Sequence, residues 1–407
     1  MKTSFIKFCI LLGLLPIAFS SCSKVPVVEV DHFEHERVIY STREEHTNYA
    51  PTIDVSLKDG EEVSILPEAW MNYKNNSSNL LNIDNYYVAG VDNYAPQPVN
   101  ITWSAEAGAN YYLVFVSSNK AMTNYISIFS DEKSVSVKDL YAGTHYYYQI
   151  HAYYSDRTII SRRFDFKTAD FFRTIEIEGV QNTRDLGNKK TSDGLQKIKQ
   201  GMVYRGARFD LVTEKGKVDA TVKYGIKTDL DLRTKSESGN ASSSPLGNSV
   251  NYINNDPSDY GSPYYINSSH GIDATAYMPI MRDNLKVFAN ENNYPVAFHC
   301  AIGRDRTGTL AIVLCLLLRI DINQIKQDYL VSLFSAASNG NSASVISTYA
   351  NPIYNYFGNY NGTFSGTDEE IYQGVEQYCL DIGLTTNEIN SIRNILLEDA
   401  QQWKKLF

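Results

Sequence analysis

A short apolar strand, a glycine-containing loop and a helix that is apolar on almost every side follow one another near residue 300. Residues 295–299 read Pro-Val-Ala-Phe-His, and the helical stretch spans 307–319. Such a strand is buried on both faces, and a helix that is hydrophobic all round belongs in the middle of a domain. Strand-like and helical segments alternate from residue 170 onward, which predicts an α/β domain with a parallel or mixed central sheet.

The chain before residue 170 has a different pattern. Between 85 and 168, short alternating runs such as 99–103 and 111–116 are separated by Gly, Asn, Asp and Ser. Runs of that length and spacing predict an all-β sandwich. The 30 tyrosines of the 407 residues also favour β-rich structure. The chain is therefore predicted to be multidomain, with an N-terminal β-sandwich followed by an α/β domain.

The stretch 140–148, Leu-Tyr-Ala-Gly-Thr-His-Tyr-Tyr-Tyr, resembles the turn and strand that carry the tyrosine corner of immunoglobulin-like and fibronectin type III domains. Trp103 would be the aromatic core residue on an early strand of such a domain. The resemblance implies a spacer or binding module without chemistry of its own, and it leaves the partner of the sandwich open.

The N-terminus carries the features of an export signal. Lys2 and Lys7 precede an apolar stretch over 8–19, which is too short to span a bilayer stably. Two serines then precede Cys22, and this arrangement resembles a bacterial lipoprotein signal. The resemblance implies that Cys22 is lipidated and anchors an exported protein in the bacterial cell envelope. An ordinary secretory peptide cut nearby is the alternative.

Four regions follow from these patterns: a lipoprotein-type signal peptide (1–21), a tether with early strands (22–84), a fibronectin type III-like sandwich (85–168) and a catalytic α/β domain (170–407). The net charge is −9 and no block of Lys or Arg offsets it, so nucleic-acid binding is not expected. Without Cys9 and Cys22, the chain keeps an odd number of cysteines, three, with no metal-ligand spacing. At least one of them is therefore expected to remain a thiol.

The stretch 299–308, His-Cys-Ala-Ile-Gly-Arg-Asp-Arg-Thr-Gly, holds the groups for chemistry on a phosphate. Loop amides and a helix N-terminus converge there into an anion site, and Arg306 adds a fork that binds two phosphate oxygens. Such surroundings lower a cysteine pKa from about 8.5 into roughly the 3.5–7.5 range, so Cys300 is predicted to be a thiolate. A thiolate facing a bound phosphate is a nucleophile. The competing interpretation is a buried cysteine before a core helix, which the joint spacing of Cys, Gly, Arg and Thr makes improbable.

The pattern His-Cys-x5-Arg-Thr-Gly resembles the signature loop of cysteine-dependent protein tyrosine phosphatases. Arg304-Asp305-Arg306 is similar to the bacterial branch whose loop reads Gly-Lys-Asp-Arg-Thr-Gly. Four further segments resemble that branch: 182–187, 202–205, 225–233 and 378–397. The resemblance covers about 175 to 400, and it departs from the branch at Thr183, where the branch has Phe.

The resemblance implies a role for each loop residue. Cys300 would form a phosphocysteine intermediate, and Arg306 would bind the phosphoryl group. The other phosphate-binding positions would be Ala301, Ile302, Gly303, Arg304, Thr307 and Gly308. Supporting roles fall to His299 and Thr307, beside Cys300, and to Arg184, Asp185, Asp231 and Arg233, which can equally form a buried ion-pair network. No metal or other cofactor is implied.

Asp305 is the predicted general acid, because the bacterial branch places an Asp directly before the loop arginine. The alternative is a carboxylate that only braces the loop. Asp256 is the second candidate, on the stretch 236–272, which is either a lid over the site or a plain surface insertion.

The reaction class follows from the loop, but the substrate does not. Phosphotyrosine in proteins is the first candidate. Arg304 supports inositol phosphates or phosphoinositides as an alternative, because these substrates need extra cations. A cell-surface binding protein with a catalytically weak phosphatase domain is the alternative from a different class.

Overall fold

The computed structural model describes residues 53–76, 79–105, 107–259, 263–269, 271–338 and 340–400, together with the backbone of 28–30 and 38–40. The predicted signal peptide and Cys22 lie outside the described residues. Within the described part of the chain, no helix is long and apolar enough to cross a membrane.

The N-terminal part of the described chain consists mainly of short strands. In chain order they are β1 (Val28–Val30), β2 (Val38–Tyr40), β3 (Asp54–Val55), β4 (Glu61–Val63), β5 (Val99–Ser104), β6 (Tyr111–Ser117), β7 (Ile126–Ser130), β8 (Ser134–Val137), β9 (His145–Tyr153), β10 (Thr158–Ile160) and β11 (Phe164–Thr168). Eight of them form a sheet in the order β1-β2-β7-β6-β9-β11-β4, with β10 paired to β9. The strands β3, β5 and β8 form a second sheet.

The two sheets share one apolar cluster. Along β5 buried and exposed residues alternate strictly, as the period of a strand with one covered face requires. Trp103 on β5 lies edge-on to Tyr112 on β6, with ring centroids 5.1 Å apart. The Tyr146 hydroxyl accepts a hydrogen bond from the Tyr141 amide at 2.8 Å, which is the type of contact that a tyrosine corner makes.

Residues 64–85 correct the expectation of a tether with early strands. The strands β3 and β4 agree with it, but helix α1 (Glu68–Asn76) and a 3₁₀-helix (Leu80–Asn85) follow. Trp70 on α1 is 1% exposed and packs at 5.4 Å against the ring of Phe334, far along the chain. The segment is polar apart from a few such residues, so its sequence shows little of this packing.

The second half of the chain alternates strands and helices, as the sequence predicts. Its strands are β12 (Arg184–Asp185), β13 (Gln196–Ile198), β14 (Val203–Gly206), β15 (Thr228–Asp231), β16 (Asn251–Ile253), β17 (Val296–His299) and β18 (Leu397–Asp399). Its helices are α2 (Glu214–Val218), α3 (Met278–Val287), α4 (Asp305–Leu317), α5 (Ile322–Leu330), α6 (Ser342–Val345), α7 (Asn351–Gly358), α8 (Asp368–Asp381) and α9 (Thr386–Leu396). A capping box formed by Thr385 and Glu388 opens α9.

A five-stranded sheet organises this half, in the order β12-β14-β17-β15-β16. Its neighbours pair in parallel except β12, which runs antiparallel to β14, so the sheet is mixed. The strand β17 is central, and every residue of α4 is buried. The register aligns His299 with Gly206 on one side and with Asp231 on the other. Three strand ends therefore meet where the loop 300–304 begins.

Candidate active site

Cys300 follows β17 directly and opens the loop that leads into α4. It is 2% exposed, and its thiol is buried beneath the loop. Burial opposes ionisation of the thiol, yet its pKa is lowered. The charge of Arg306 contributes most to the lowering, followed by hydrogen bonds from the Thr307 hydroxyl and from the amides of Thr307 and Gly303. The site therefore stabilises the thiolate, the form that acts as a nucleophile.

The carbonyls of the loop are held by donors from neighbouring segments. Three successive ones each accept a hydrogen bond: Ala301 from the Arg208 amide at 3.2 Å, Ile302 from Asn182 Nδ2 at 3.0 Å and Gly303 from Arg205 Nη2 at 2.9 Å. In a planar trans peptide the N–H points opposite to the C=O. The amides of the next residues, 302 to 304, are therefore directed toward the inside of the loop, where a phosphate would lie.

Gly303 is required by both its conformation and its surroundings. Its φ is +73°, in the left-handed region that favours glycine. A Cβ at this position would lie 2.5 Å from the carbonyl of Gly206 at the end of β14. The loop thus packs directly on the neighbouring strand, and any side chain here would push the two apart.

Arg306 is held by a carboxylate that the sequence patterns did not single out. Its Nη1 and Nη2 donate to the two oxygens of Glu237 at 2.6 and 3.0 Å. Glu237 also accepts from the amide and hydroxyl of Thr234, at 2.9 and 3.1 Å. Burial opposes ionisation of Glu237, but the bonds from Arg306 and Thr234 lower its pKa. The guanidinium is thereby fixed beside the thiol. The sequence signal that could have revealed Glu237 is a carboxylate in the turn after β15.

His299 is fully buried between two carboxylates at the end of β15. Its Nε2 lies 3.0 Å from Asp229 Oδ1, and its Nδ1 lies 3.8 Å from Asp231 Oδ1. Burial lowers the pKa of the imidazole, but the charges of Asp231 and Asp229 outweigh it and raise the pKa to about 9. The two carboxylates therefore favour the protonated form of the imidazole that precedes Cys300. Asp229 was not among the residues that the sequence singled out.

Arg304 and Asp305 bind each other. Arg304 donates from Nε to Asp305 Oδ1 at 2.7 Å and from Nη2 to Oδ2 at 3.1 Å, and Tyr329 donates to the same carboxylate at 3.1 Å. Burial lowers the pKa of Arg304, but Asp305, with smaller contributions from Tyr329 and Tyr349, raises that pKa overall. These contacts are the ones that a loop-bracing carboxylate would make. A general acid at Asp305 would have to act from within this pair.

Thr307 has a hydroxyl beside the sulfur of Cys300, whereas Gly308 is a packing position within α4. The Thr307 hydroxyl is buried, makes no other hydrogen bond among the described residues, and contributes to lowering the pKa of the Cys300 thiol. The Gly308 amide donates to the Arg304 carbonyl at 2.7 Å, so it is used within the helix and corrects the expectation of a phosphate contact. A Cβ on Gly308 would lie 2.3 Å from the Tyr329 ring, which makes it a packing position.

The residues predicted to support the site separate into two groups. Arg184 bonds to Asn182, which holds the Ile302 carbonyl. Asp231 accepts hydrogen bonds from Nε and Nη2 of Arg233, at 3.0 and 2.8 Å, beside His299. Asp185 agrees instead with the ion-pair alternative, because its partners are Arg173 and the amides of Gly187 and Gly201, none of which belongs to the loop.

The stretch 236–272 reaches the site at two points. Glu237 binds Arg306, and Tyr264 is buried near the same guanidinium. Burial raises the pKa of Tyr264, and the charges of Arg306 and Cys300 also act on it. Asp256 is the second general-acid candidate. Its carboxylate accepts a hydrogen bond from the Lys235 backbone amide at 3.1 Å and forms an ion pair with the Lys235 ammonium, Nζ to Oδ2, at 3.5 Å. Of the described residues of this stretch, Glu237 and Tyr264 thus lie at the site.

The other described cysteines contrast with Cys300. Cys315 and Cys379 are buried free thiols, and burial raises the pKa of Cys315 to about 12 and that of Cys379 as well. Within the part of the chain that the structure describes, no cluster of His, Cys, Asp and Glu could hold a metal ion.

A thiolate, an arginine and a ring of inward amides at the end of a central strand are the elements of a cysteine-type phosphatase site. The sequence model of the tyrosine phosphatase family matches residues 175–398, more than half of the chain, and this range contains the mixed sheet and the loop. The chain therefore belongs to the tyrosine phosphatase family.

Comparison with other proteins adds little to this assignment. No curated protein matches the chain. A fibronectin type III-like protein from Clostridium thermocellum is 24% identical over 18% of this chain and 77% of its own, with a TM-score of 0.16. The core catalytic domain of the PP-IP phosphatase SIW14 from S. cerevisiae, in complex with citrate, is 16% identical over 38% of this chain and 85% of its own, with a TM-score of 0.25. At these TM-scores neither structure supports a conclusion about this chain.

Proposed function

We propose that the protein hydrolyses phosphate monoesters through a phosphocysteine intermediate. The observation that carries this proposal is the lowered pKa of the Cys300 thiol beneath inward amides and beside the Arg306 guanidinium. The thiolate attacks phosphorus, an S–P bond forms and the bond from phosphorus to the leaving oxygen breaks. Water then attacks the phosphocysteine, which releases phosphate and restores the thiolate.

Electrostatic stabilisation would come from groups that are already oriented. The Arg306 guanidinium and the amides of 302 to 304 stabilise the charge on the equatorial oxygens in the transition state. The Thr307 hydroxyl stabilises the sulfur as it leaves in the second step. We assign the general acid to Asp305, which would protonate the leaving oxygen, with Asp256 as the alternative.

Phosphotyrosine in proteins is the substrate that we propose. Four cations on the loop and its flanking segments are each paired with a carboxylate, in the pairs Arg208–Asp210, Lys235–Asp256, Arg304–Asp305 and Arg306–Glu237. The cations that share Asp328 behind the loop (Arg184, Lys189 and Arg205) are fully buried. A substrate with several phosphates needs surplus cations, whereas a single phosphate needs only the loop. Tyr265 and Tyr349, with ring centroids 4.9 Å apart, add an aromatic surface on the side of Arg304.

Inositol phosphates or phosphoinositides are the second candidate, because Arg304 lies two residues from Arg306 in the loop. Such a substrate would have to draw Arg304 away from Asp305. A cell-surface binding protein with weak catalysis is the third candidate. Against it, Cys300 and Arg306 are both present, and the pKa of Cys300 is lowered.

The experiment is a comparison of phosphate release from a phosphotyrosine peptide and from inositol phosphates, with EDTA present throughout, by the wild type and by Cys300→Ser. We expect release from the peptide and a loss of at least about 1,000-fold in Cys300→Ser, because the nucleophile is gone. Preference for inositol phosphates would replace the proposed substrate with the second candidate. Activity that survives Cys300→Ser would remove the phosphocysteine step.

We further propose that the protein is exported and anchored in the cell envelope through a lipid on Cys22, after removal of residues 1–21. We propose a fibronectin type III-like spacer over 85–168, supported by the Tyr146–Tyr141 hydrogen bond and the cluster around Trp103, and a catalytic domain over 170–407. Incorporation of labelled fatty acid into the wild type but not into Cys22→Ser tests the anchor. Equal labelling of both would exclude Cys22.

A further inference from the structure

A cluster of buried charges lies behind the phosphate-binding loop. Asp328 on α5 accepts from Arg184 Nε at 3.1 Å and from Arg205 Nη1, and Lys189 Nζ lies 3.2 Å away. All four side chains are at most 4% exposed. One carboxylate therefore serves three buried cations.

Two of these cations hold the loop, Arg205 by direct contact and Arg184 through Asn182. Arg205 donates from Nη2 to the Gly303 carbonyl at 2.9 Å. Arg184 donates from Nη1 to Asn182 Oδ1 at 2.6 Å, and the amide of that side chain holds the Ile302 carbonyl at 3.0 Å. The third cation, Lys189, donates to the Leu186 carbonyl at 3.1 Å, which lies outside the loop.

The direction of these bonds connects Asp328 to the chemistry. The Ile302 carbonyl and the Gly303 amide belong to one planar peptide and point in opposite directions. That amide is one of the groups that lower the pKa of the Cys300 thiol. Donors that hold the carbonyls from behind therefore aim the amides at the sulfur and at a bound phosphate. If the donors shift, the peptide planes are free to turn.

The two arginines need a carboxylate between them to stay in place. Burial and the nearby charge of Arg205 together lower the pKa of Arg184 to about 10, against the pull of Asp328. Removing one partner of a buried ion pair leaves the other charges uncompensated and strongly destabilised. Without the carboxylate, Arg184 and Arg205 would repel each other and move, and the bonds to the loop carbonyls would move with them.

We propose that Asp328 is a positioning residue of the phosphate-binding loop, which acts by holding Arg205 against the Gly303 carbonyl and Arg184 against Asn182, whose side-chain amide binds the Ile302 carbonyl. The proposal rests on the proposed phosphatase function, because the amides it aims are those that would bind the phosphate. It extends the site to helix α5, which the loop motif does not include.

The test is Asp328→Asn in the full chain, measured in two ways. We expect kcat/KM for an aryl phosphate to fall by about 10- to 100-fold, mostly through kcat, because the amides are turned away from the transition state. The pH profile of iodoacetamide labelling, followed by mass spectrometry on the peptide with Cys300, should shift to higher pH. Lys189→Met is the matched control, since it removes a buried partner of Asp328 that does not reach the loop.

A fall in the unfolding midpoint for both variants, with altered kinetics and labelling only in Asp328→Asn, supports the proposal. Unchanged kcat/KM and labelling profile in Asp328→Asn would reduce Asp328 to a structural residue. If Asp328→Asn does not fold, Arg205→Lys is the second variant, because it keeps the charge but loses the planar fork. It should shift the pH profile of Cys300 labelling in the same direction by a smaller amount. An unchanged labelling profile in Arg205→Lys would overturn the proposal. If the wild type releases no phosphate, the proposed function fails, but the labelling profile still decides on Asp328.

Discussion

At the scale of single residues, the three described cysteines show how position decides chemistry. Cys300, Cys315 and Cys379 are equally buried, and burial alone raises the pKa of a thiol. Only at Cys300 do an arginine, a hydroxyl and two amides outweigh burial and lower the pKa. Reactivity therefore follows from the loop around the sulfur and not from the depth of the residue.

The role of Asp305 can be tested with two leaving groups. If Asp305 donates a proton, Asp305→Asn should reduce activity on a phosphotyrosine peptide by about 100-fold or more, and far less on p-nitrophenyl phosphate, whose leaving group needs little protonation. The measurement is kcat for both substrates. Asp256→Asn, measured alongside, should leave both values close to wild type. Equal losses with both substrates in Asp305→Asn would instead indicate that it braces Arg304 and the loop.

At the scale of elements, the loop between β17 and α4 depends on its neighbours. Its carbonyls are bound by Asn182, Arg205 and the Arg208 amide, and Gly303 packs on the end of β14. A strand, a loop and a helix in succession would not hold this geometry alone. The adjacent parallel strand supplies Arg205 and the steric limit at Gly206, and the segments before β12 and after β14 supply the other two donors.

Gly303→Ala should therefore impair activity in addition to straining the backbone. Its matched control is Gly194→Ala, because Gly194 has nearly the same φ, +70°, but nothing within 4 Å of an added Cβ. Both variants should lose about 1–2 kcal/mol of unfolding free energy from the left-handed conformation. Only Gly303→Ala should also lose activity, by at least about tenfold, as the loop shifts from β14. Denaturant titration and kcat/KM measure the two effects, and equal activity in both variants would contradict the close contact.

At the scale of the whole molecule, the N-terminal part contributes to the core of the catalytic half. Trp70 and Tyr73 on α1 belong to the same apolar cluster as α4. Polar contacts continue the interface, since Asp92 accepts from the Ala336 amide at 2.7 Å and the Asn93 amide donates to the Phe334 carbonyl at 2.8 Å. The β-rich part is therefore joined to the catalytic part by a packed segment.

Substituting one tryptophan in each apolar cluster tests this coupling. Trp70→Ala should cost about 3–5 kcal/mol of unfolding free energy and lower the temperature at which activity is lost, because it leaves a cavity in the catalytic core. Trp103→Ala, in the cluster between the two N-terminal sheets, should destabilise those sheets instead. Calorimetry together with residual activity on heating separates the two. If Trp70→Ala left the inactivation temperature unchanged, α1 would not be part of the catalytic core.

The sequence by itself determined the local elements and the chemistry of the loop. Strand β17, the loop with Cys300 and Arg306, and helix α4 are contiguous, so their residue types and spacing identify them. The alternating runs between 99 and 153 likewise predicted β5 to β9 closely.

Only the tertiary structure decided which groups hold that loop. Glu237 is 69 positions from Arg306, and Asp328 is 144 positions from Arg184. Buried charges find partners wherever the fold brings opposite charges together, and no local periodicity marks such pairs. The same reason places Asp185 in an ion pair with Arg173, away from the loop. The Gly308 amide differs, because it is bonded at the start of α4 to the Arg304 carbonyl.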